Sequence, residues 1–202
     1  MLLNNQAIDL NAEPFRIAQL MRDFHQPWSF CGGWAIDLLL GEQTRQHKDI
    51  DIAILRQHQL DARSYLMARG WTLEKAHKGK LSPWTGDEFV QLPVHAIWCK
   101  NPDYNPSFLE ILLNESEGDY FCFRRERSIT LELNQVFVRS GIGLPVLAPE
   151  VVLLYKAKEA ESNEADFCNG LPLLNDKQRK WLRQSLLRLY PEHKWLSALE
   201  GA

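Results

Sequence analysis

The chain has 202 residues, 45% of them hydrophobic and 24% charged, which is the balance of a globular protein able to bury its own core. A formal net charge of -3 supplies no global basic field, which argues against nucleic acid or anionic lipid as a partner but leaves room for a phosphate-bearing small molecule at a local site. The opening stretch MLLNNQAIDLNAEP has no basic n-region or apolar core, no run of about 18 apolar residues occurs, and Cys31, Cys99, Cys122 and Cys168 form no CxxC or CxxH grouping. A cytoplasmic protein without a membrane span, with reduced thiols rather than a zinc site or disulfide framework, is therefore expected.

In chain order, residues 14–24 read as a helix, with Phe15, Ala18, Met21 and Phe24 on one stripe and Pro27 ending it. WSFC reads as a short buried strand, broken by Gly32-Gly33; WAIDLLL follows as a two-turn helix stopped by Gly41. DIDIAIL, residues 49–55, alternates with period two and reads as a strand. A helix over 61–69 closes at Gly70, WTLEKA is a candidate strand, and the glycines, prolines and lysines of 76–88 suggest a mobile loop. VHAIWC, SFLEILL, YFCFRR and VFVRS read as strands at hairpin spacings, with Glu115 and Glu117 as turn residues. Beyond Pro145 the chain turns helical: Pro149 sits in a first turn, Asn175 and Gln178 have capping-box spacing, and Trp181, Leu182, Ser185, Leu186 and Leu189 share a face. This gives an α/β core over 1–145 and a helical segment over 146–202 packed on it.

The informative stretch is CGGWAIDLLLGEQTRQHKDIDIAIL, residues 31–55. Strand alternation places Asp49, Asp51 and Ala53 on one face and Ile50, Ile52 and Ile54 on the other. Two carboxylates about 6.6 Å apart on a strand repel by roughly 2.5 kcal/mol at an effective dielectric of about 20. A divalent cation between them reverses that sign. A solvated acidic face is the plain alternative for the aspartates alone. Upstream, Gly32-Gly33 permits a tight turn, and the helix that starts there points unpaired N–H groups outward, which suits a phosphate. Thr44, Arg45 and His47 lie in the loop between, and Arg45 can neutralise phosphate oxygens. An anion cradle and paired carboxylates this close together fit a magnesium-bound nucleoside triphosphate.

Over Gly32, Gly33, Trp34, Asp37, Gly41, Thr44, Arg45, His47, Asp49 and Asp51 the sequence resembles the signature of nucleotidyltransferases of the polymerase-β-like superfamily, above all the aminoglycoside and lincosamide nucleotidyltransferases and uncharacterised bacterial relatives. The resemblance implies an α+β fold, a small mixed sheet flanked by helices with a helical C-terminal segment. It implies Mg2+-dependent transfer of a nucleoside monophosphate, AMP in the first instance, from an NTP to an acceptor such as a small-molecule hydroxyl, releasing pyrophosphate. Asp49 and Asp51 correspond to metal ligands, with two ions expected in the active complex, and Gly32 and Gly33 correspond to the triphosphate cradle. Thr44, Arg45 and Lys156 are the further nucleotide-binding candidates. The family requires a third carboxylate on a later strand, as metal ligand or general base. No second DxD occurs, and Glu110 in FLEILL is the candidate, against the alternative of an edge-strand glutamate facing water.

The other readings are a catalytically silent nucleotide-binding or interaction module of the same fold, and a toxin-like transferase acting on tRNA or protein. His95 is expected to be structural, Arg124–Arg127 a solvated run or an anchor for an acidic acceptor or phosphates, and Asp37 a support orienting Arg45 or its loop. Trp34 is expected to pack under the site, and Trp84 to be a loop anchor or a stacking platform.

Overall fold

The computed structural model describes residues 6, 7, 9 and 12–200; most of the stretch searched for a signal sequence lies outside them. In chain order the elements are β1 (Gln6–Ala7), α1 (Glu13–Leu20), β2 (Trp28–Phe30), α2 (Gly32–Leu40), β3 (Glu42–Gln43), β4 (Asp51–Leu55), α3 (Gln59–Met67), β5 (Thr72–His77), β6 (Lys80–Pro83), β7 (Ala96–Lys100), β8 (Phe108–Glu117), β9 (Tyr120–Cys122), β10 (Thr130–Glu132), α4 (Leu133–Val136), β11 (Phe137–Arg139), β12 (Pro145–Leu147), α5 (Pro149–Lys156), α6 (Glu164–Gly170) and α7 (Asp176–Leu189). β1 and β3 form a small antiparallel ribbon. The main sheet is mixed, in the order β11-β12-β2-β4-β8-β7-β5-β6, with β9 and β10 extending from β8.

Strand β4 sits in the middle, antiparallel to β2 and parallel to β8. It is covered on both faces, so Ile52, Ala53 and Ile54 are all fully buried. The simple in/out alternation expected there therefore fails inside the strand: Ala53 and Leu55 are as deep as the isoleucines. On one side of the sheet α2 packs against β4 and also meets α5 and α6.

Several elements differ from the sequence reading. Helix α1 stops at Leu20, seven residues before Pro27, and its buried stripe is Ile17 and Leu20 continued by Met21 and Phe24 rather than one through Phe15 and Ala18. The expected mobile loop at 76–88 contains a β-hairpin, β5 to β6, turning at Lys78 (φ 49) and Gly79 (φ 72). Two successive positive φ angles are the requirement of a type I′ turn, which a lysine-glycine pair can meet. Trp84, after this hairpin, is buried, with its indole N–H donated to the Glu88 carbonyl at 2.9 Å, so it is an anchor. Glu115 is not a turn residue: β8 runs on to Glu117, and the buried Glu115 pairs with Arg56 at 2.6 Å.

The last strand, β12, lies in the sheet parallel to β2, and the helices follow it directly. They dock through large aromatics and close backbone approach. Phe167 stacks on Trp195 with ring centroids 4.2 Å apart. A Cβ on Gly170 would press on Ile36 and Leu153 at 3.2 Å, so a side chain there would push α6 off α2 and α5. At the start of α7, Asn175 and Gln178 form the capping box. The Gln178 amide then donates to Glu150 of α5 at 2.8 Å.

Glu150 is 2% exposed, and burial pushes its carboxyl up to about 7 despite that hydrogen bond. Below the ordinary carboxylate range both folded and unfolded chains hold the proton. Between there and about 7 only the folded chain does, so stability falls as pH rises, and above about 7 the full penalty remains. Glu150→Gln removes the charge and keeps an acceptor for Gln178. It is expected to stabilise the protein by roughly 2–3 kcal/mol at pH 8, and by much less at pH 5. Thermal melts of both proteins at the two pH values check this.

Candidate active site

The parallel register of β4 with β8 sets Asp51 directly opposite Glu110, so the two side chains share one face of the sheet. The Asp51 carbonyl accepts from the Cys31 N–H at 3.0 Å, and the Glu110 N–H donates to the Ile50 carbonyl at 2.9 Å. Those two bonds lock the start of α2 and the middle of β8 onto the same end of β4. The Trp98 indole, from β7, donates to Glu110 Oε1 at 2.9 Å and fixes its orientation.

Asp49 is displaced from the place alternation gave it. The strand begins at Asp51, and Asp49 lies in the preceding loop, exposed. The partner of Asp51 is therefore the acid on the neighbouring strand, not the acid two residues back; Asp49 reaches the pair through its charge. Burial first, then the like charges of Glu110 and Asp49, push the Asp51 carboxyl up to about 7. Burial also raises Glu110, against the pull of Trp98 and Asp51. The two carboxyls thus both resist ionisation, each raised by burial and by the charge of an acidic neighbour.

Gly32 and Gly33 serve the packing of side chains around this pair. Gly32 has φ +63, and a Cβ there would collide with the Asp51 carboxylate. A Cβ on Gly33 would collide with the Arg45 guanidinium and the His47 ring. The loop of Thr44, Arg45 and His47 thus folds back over the first turn of α2. Asp37, 1% exposed, holds it there: it accepts from the Thr44 hydroxyl at 2.6 Å and amide at 3.1 Å, and from His47 Nε2 at 2.6 Å. The His47 ring in turn stacks on the buried Trp34, with centroids 4.2 Å apart. Asp37 orients Thr44 and His47, not Arg45.

Arg45 is held by a residue that the sequence reading did not single out. The buried Asp166, on α6, takes Arg45 in a two-pronged contact at 3.0 and 3.1 Å and takes Lys156 of α5 at 2.5 Å. Despite burial its carboxyl stays below the ordinary range, because both cations hydrogen-bond to it. An acid in EADF, 121 residues from Arg45, gave no local signal; only a search for the carboxylate that two converging cations need could have raised it. Of the nucleotide-binding candidates, Gly32, Gly33, Arg45 and Lys156 gather around the start of α2, whereas both polar groups of Thr44 are engaged by Asp37.

A cavity of about 260 Å³ opens beside the pair, reaching from Cys31 and Gly32 past Ala53 and Leu112 to Tyr155 and Lys156. Whether the pair fits a divalent cation is decided by its own chemistry. Asp51 Oδ1 is buried without a hydrogen-bond partner. An orphaned carboxylate oxygen, two hard oxygen donors side by side and raised proton affinities are what a hard dication relieves. Among the described residues no three His, Cys, Asp or Glu side chains already converge, so Asp51 and Glu110 would be the core of such a site and Asp49 an outlying charge.

Comparison with known proteins bears on the fold. The family described as aminoglycoside-2''-adenylyltransferase matches residues 15–109. A lincosamide resistance protein of Staphylococcus haemolyticus is 31% identical over 85 residues, covering 42% of this chain and 53% of that protein. Over these residues the chain is similar in sequence to the antibiotic nucleotidyltransferases. Its match spans about half the length of that curated relative. The lincomycin-bound crystal structure of the lincosamide antibiotic adenylyltransferase LnuA superposes with a TM-score of 0.54 at 21% identity, over 77% of this chain and 92% of that one. The solution structure of the antibiotic-resistance factor ANT(2'')-Ia gives 0.58 at 15% identity, over 88% and 90%. The fold is thus the polymerase-β-like nucleotidyltransferase fold, as the resemblance implied. The family match stops at Leu109, one residue short of Glu110, so Glu110, Lys156 and Asp166 rest on the register and contacts of this relative alone.

If the two acids are held together against their mutual repulsion, removing one charge relaxes the apoprotein. Asp51→Asn is expected to raise Tm in chelator-treated buffer at pH 8 by roughly 2–8 °C, the equivalent of about 1–2 kcal/mol. Differential scanning calorimetry against the parent checks the sign, and a lower Tm contradicts it.

Proposed function

We propose that this protein is a Mg2+-dependent nucleotidyltransferase that moves AMP from ATP to the hydroxyl of a small molecule. The observation that carries the proposal is the buried Asp51–Glu110 pair beside the start of α2, with one oxygen orphaned and two cations one residue layer away. Asp51 and Glu110, with Asp49 at the rim, would hold the magnesium, two ions in the active complex. Bound there, the metal supplies charge stabilisation of the attacking and leaving oxygens.

The chain's own residues do the rest. The first turn of α2 would offer its N–H groups to anionic oxygens, with Gly32 and Gly33 leaving room there for the Asp51 carboxylate and the Arg45 guanidinium. Arg45 and Lys156 lie where the triphosphate would need positive charge, and Asp166 keeps both extended toward it instead of toward solvent. The acceptor oxygen attacks the α-phosphorus, a P–O bond forms, and the bond to pyrophosphate breaks. The acceptor's proton passes to a carboxylate. With Trp98 on Oε1, the remaining oxygen of Glu110 either holds the metal or takes the proton; its burial-raised proton affinity favours the proton, which leaves Asp51 as the ligand in that step. Asp37, His47 and Trp34 act by fixing the Thr44–His47 loop.

In this reading residues 1–145 carry the acids and residues 146–202 form a helical cover that supplies Lys156 and the Asp166 clamp. The setting is the cytoplasm, in keeping with four free thiols and with no described helix long and apolar enough to cross a membrane.

The test is binding followed by turnover. Among ATP, GTP, CTP and UTP, ATP is expected to raise Tm most, and only with Mg2+; ligand at 100 times Kd stabilises by about 2.7 kcal/mol. Asp51→Ala should abolish the magnesium-dependent part. Incubation of Mg·ATP with a small-molecule extract should give products heavier by one AMP unit in mass spectrometry. Glu110→Gln should lower kcat by about 10²-fold or more, the range of a lost general base. Nucleotide binding without any adenylylated product would instead identify a silent module.

A further inference from the structure

The far end of the cavity carries an unneutralised pair of arginines. Arg124 and Arg125, from the turn after β9, line it with His95, Lys156 and Lys158, and Glu159 is the only carboxylate in that lining. Neither arginine forms an ion pair among the described residues. Arg125 donates to the Tyr155 carbonyl at 3.1 Å, and both guanidinium groups lie against the Tyr155 ring, 5.6 and 5.7 Å from its centroid. They are held by aromatic faces and a backbone oxygen, which position a cation without cancelling its charge. Glu115 on β8, the acid whose charge reaches Arg124, is engaged by Arg56 at 2.6 Å. Burial, with Arg125 and Arg56 close by, works against the charge of Arg124. His95 lies beside them with its Nδ1 against the Pro93 carbonyl, and burial lowers its proton affinity, so it adds a hydrogen-bonding group more than a charge.

Position separates this pair from the reacting end of the site at Glu110. The Tyr155 hydroxyl donates to Asn114 at 2.9 Å, which ties the arginine end of the cavity to Asn114. Asn114 is four residues along β8 from Glu110, about 13 Å at a rise of about 3.3 Å per residue. A triphosphate seated on α2 and Lys156 would share this cavity, so binding with the nucleotide already in place decides between acceptor and triphosphate; a nucleobase is uncharged.

We infer that Arg124 and Arg125 form an oxyanion subsite for the acceptor: a hydroxyl-bearing molecule with a phosphate or carboxylate roughly one cavity length from the reacting hydroxyl. The inference rests on the transferase reading for the word acceptor, but the subsite itself does not. It sets this chain apart from a site built for amine-bearing antibiotics, which Arg124, Arg125 and Lys158 would repel.

The test uses the full chain and two simple probes, inorganic phosphate and citrate, which separate the phosphate and carboxylate sources. By isothermal titration, one or both should bind the protein saturated with Mg2+ and a non-hydrolysable ATP analogue. Arg124→Gln should weaken that binding tenfold or more while the Kd for the nucleotide analogue moves less than twofold. In the unmutated protein the bound probe should shield Arg124 from phenylglyoxal, read by peptide mass spectrometry, so the result stands even if the variant folds poorly. Lincomycin and tobramycin should show no competition with the probe. The inference is overturned if neither probe binds, if Arg124 stays reactive, or if the variant loses nucleotide affinity instead, which would assign the arginines to the triphosphate. Should Mg·nucleotide fail to bind at all, the transferase reading falls, and the same titration on the free protein still decides the oxyanion subsite.

Discussion

Two carboxylates facing each other across a parallel strand pair are the constraint from which the rest of the site follows. A one-residue slip between β4 and β8 would turn either Asp51 or Glu110 to the opposite face. The register is set by the fully buried Ile52, Ala53 and Ile54 paired with Ile111, Leu112 and Leu113, so the hydrophobic core aligns the acids. Folding on its own would favour apolar residues at that point. The protein instead keeps two carboxyls there whose proton affinities burial raises, a cost that packing alone does not explain.

The second constraint is the clamp at Asp166. One buried carboxylate joins the α2–β4 loop, through Arg45, to the C-terminal helices, through Lys156. Removing it would leave two partly buried cations without their shared counter-ion. The clamp also explains why the C-terminal segment has to pack as closely as it does. The stack of Phe167 on Trp195 and the absence of a side chain at Gly170 hold α6 at the depth where Asp166 meets both partners.

Much of this was legible in residues 31–55, because local chemistry there has local causes: a glycine pair opening a helix, a glycine closing it, and acids beginning a strand of isoleucines. Glu110 was legible as an acid stranded among apolar residues, but its facing Asp51 depends on a parallel register with no local signature. Asp49 was misplaced because strand alternation was extended two residues beyond the start of β4, into a segment governed by the loop that Asp37 anchors. The same limit hid Asp166 as the partner of Arg45, while the expectation that Asp37 supports the loop held, since a contact spanning 121 residues is decided by tertiary packing. The hairpin at Lys78-Gly79 was missed for the opposite reason: its glycine and lysines were taken as a sign of mobility, when the two positive φ angles build a tight turn.

The most direct measurement is the anomalous scattering of Mn2+ in crystals grown with a non-hydrolysable ATP analogue. The account requires a peak between the Asp51 and Glu110 carboxylates, with the analogue's phosphates reaching the start of α2. A map with no peak there, or with manganese bound elsewhere, would contradict it.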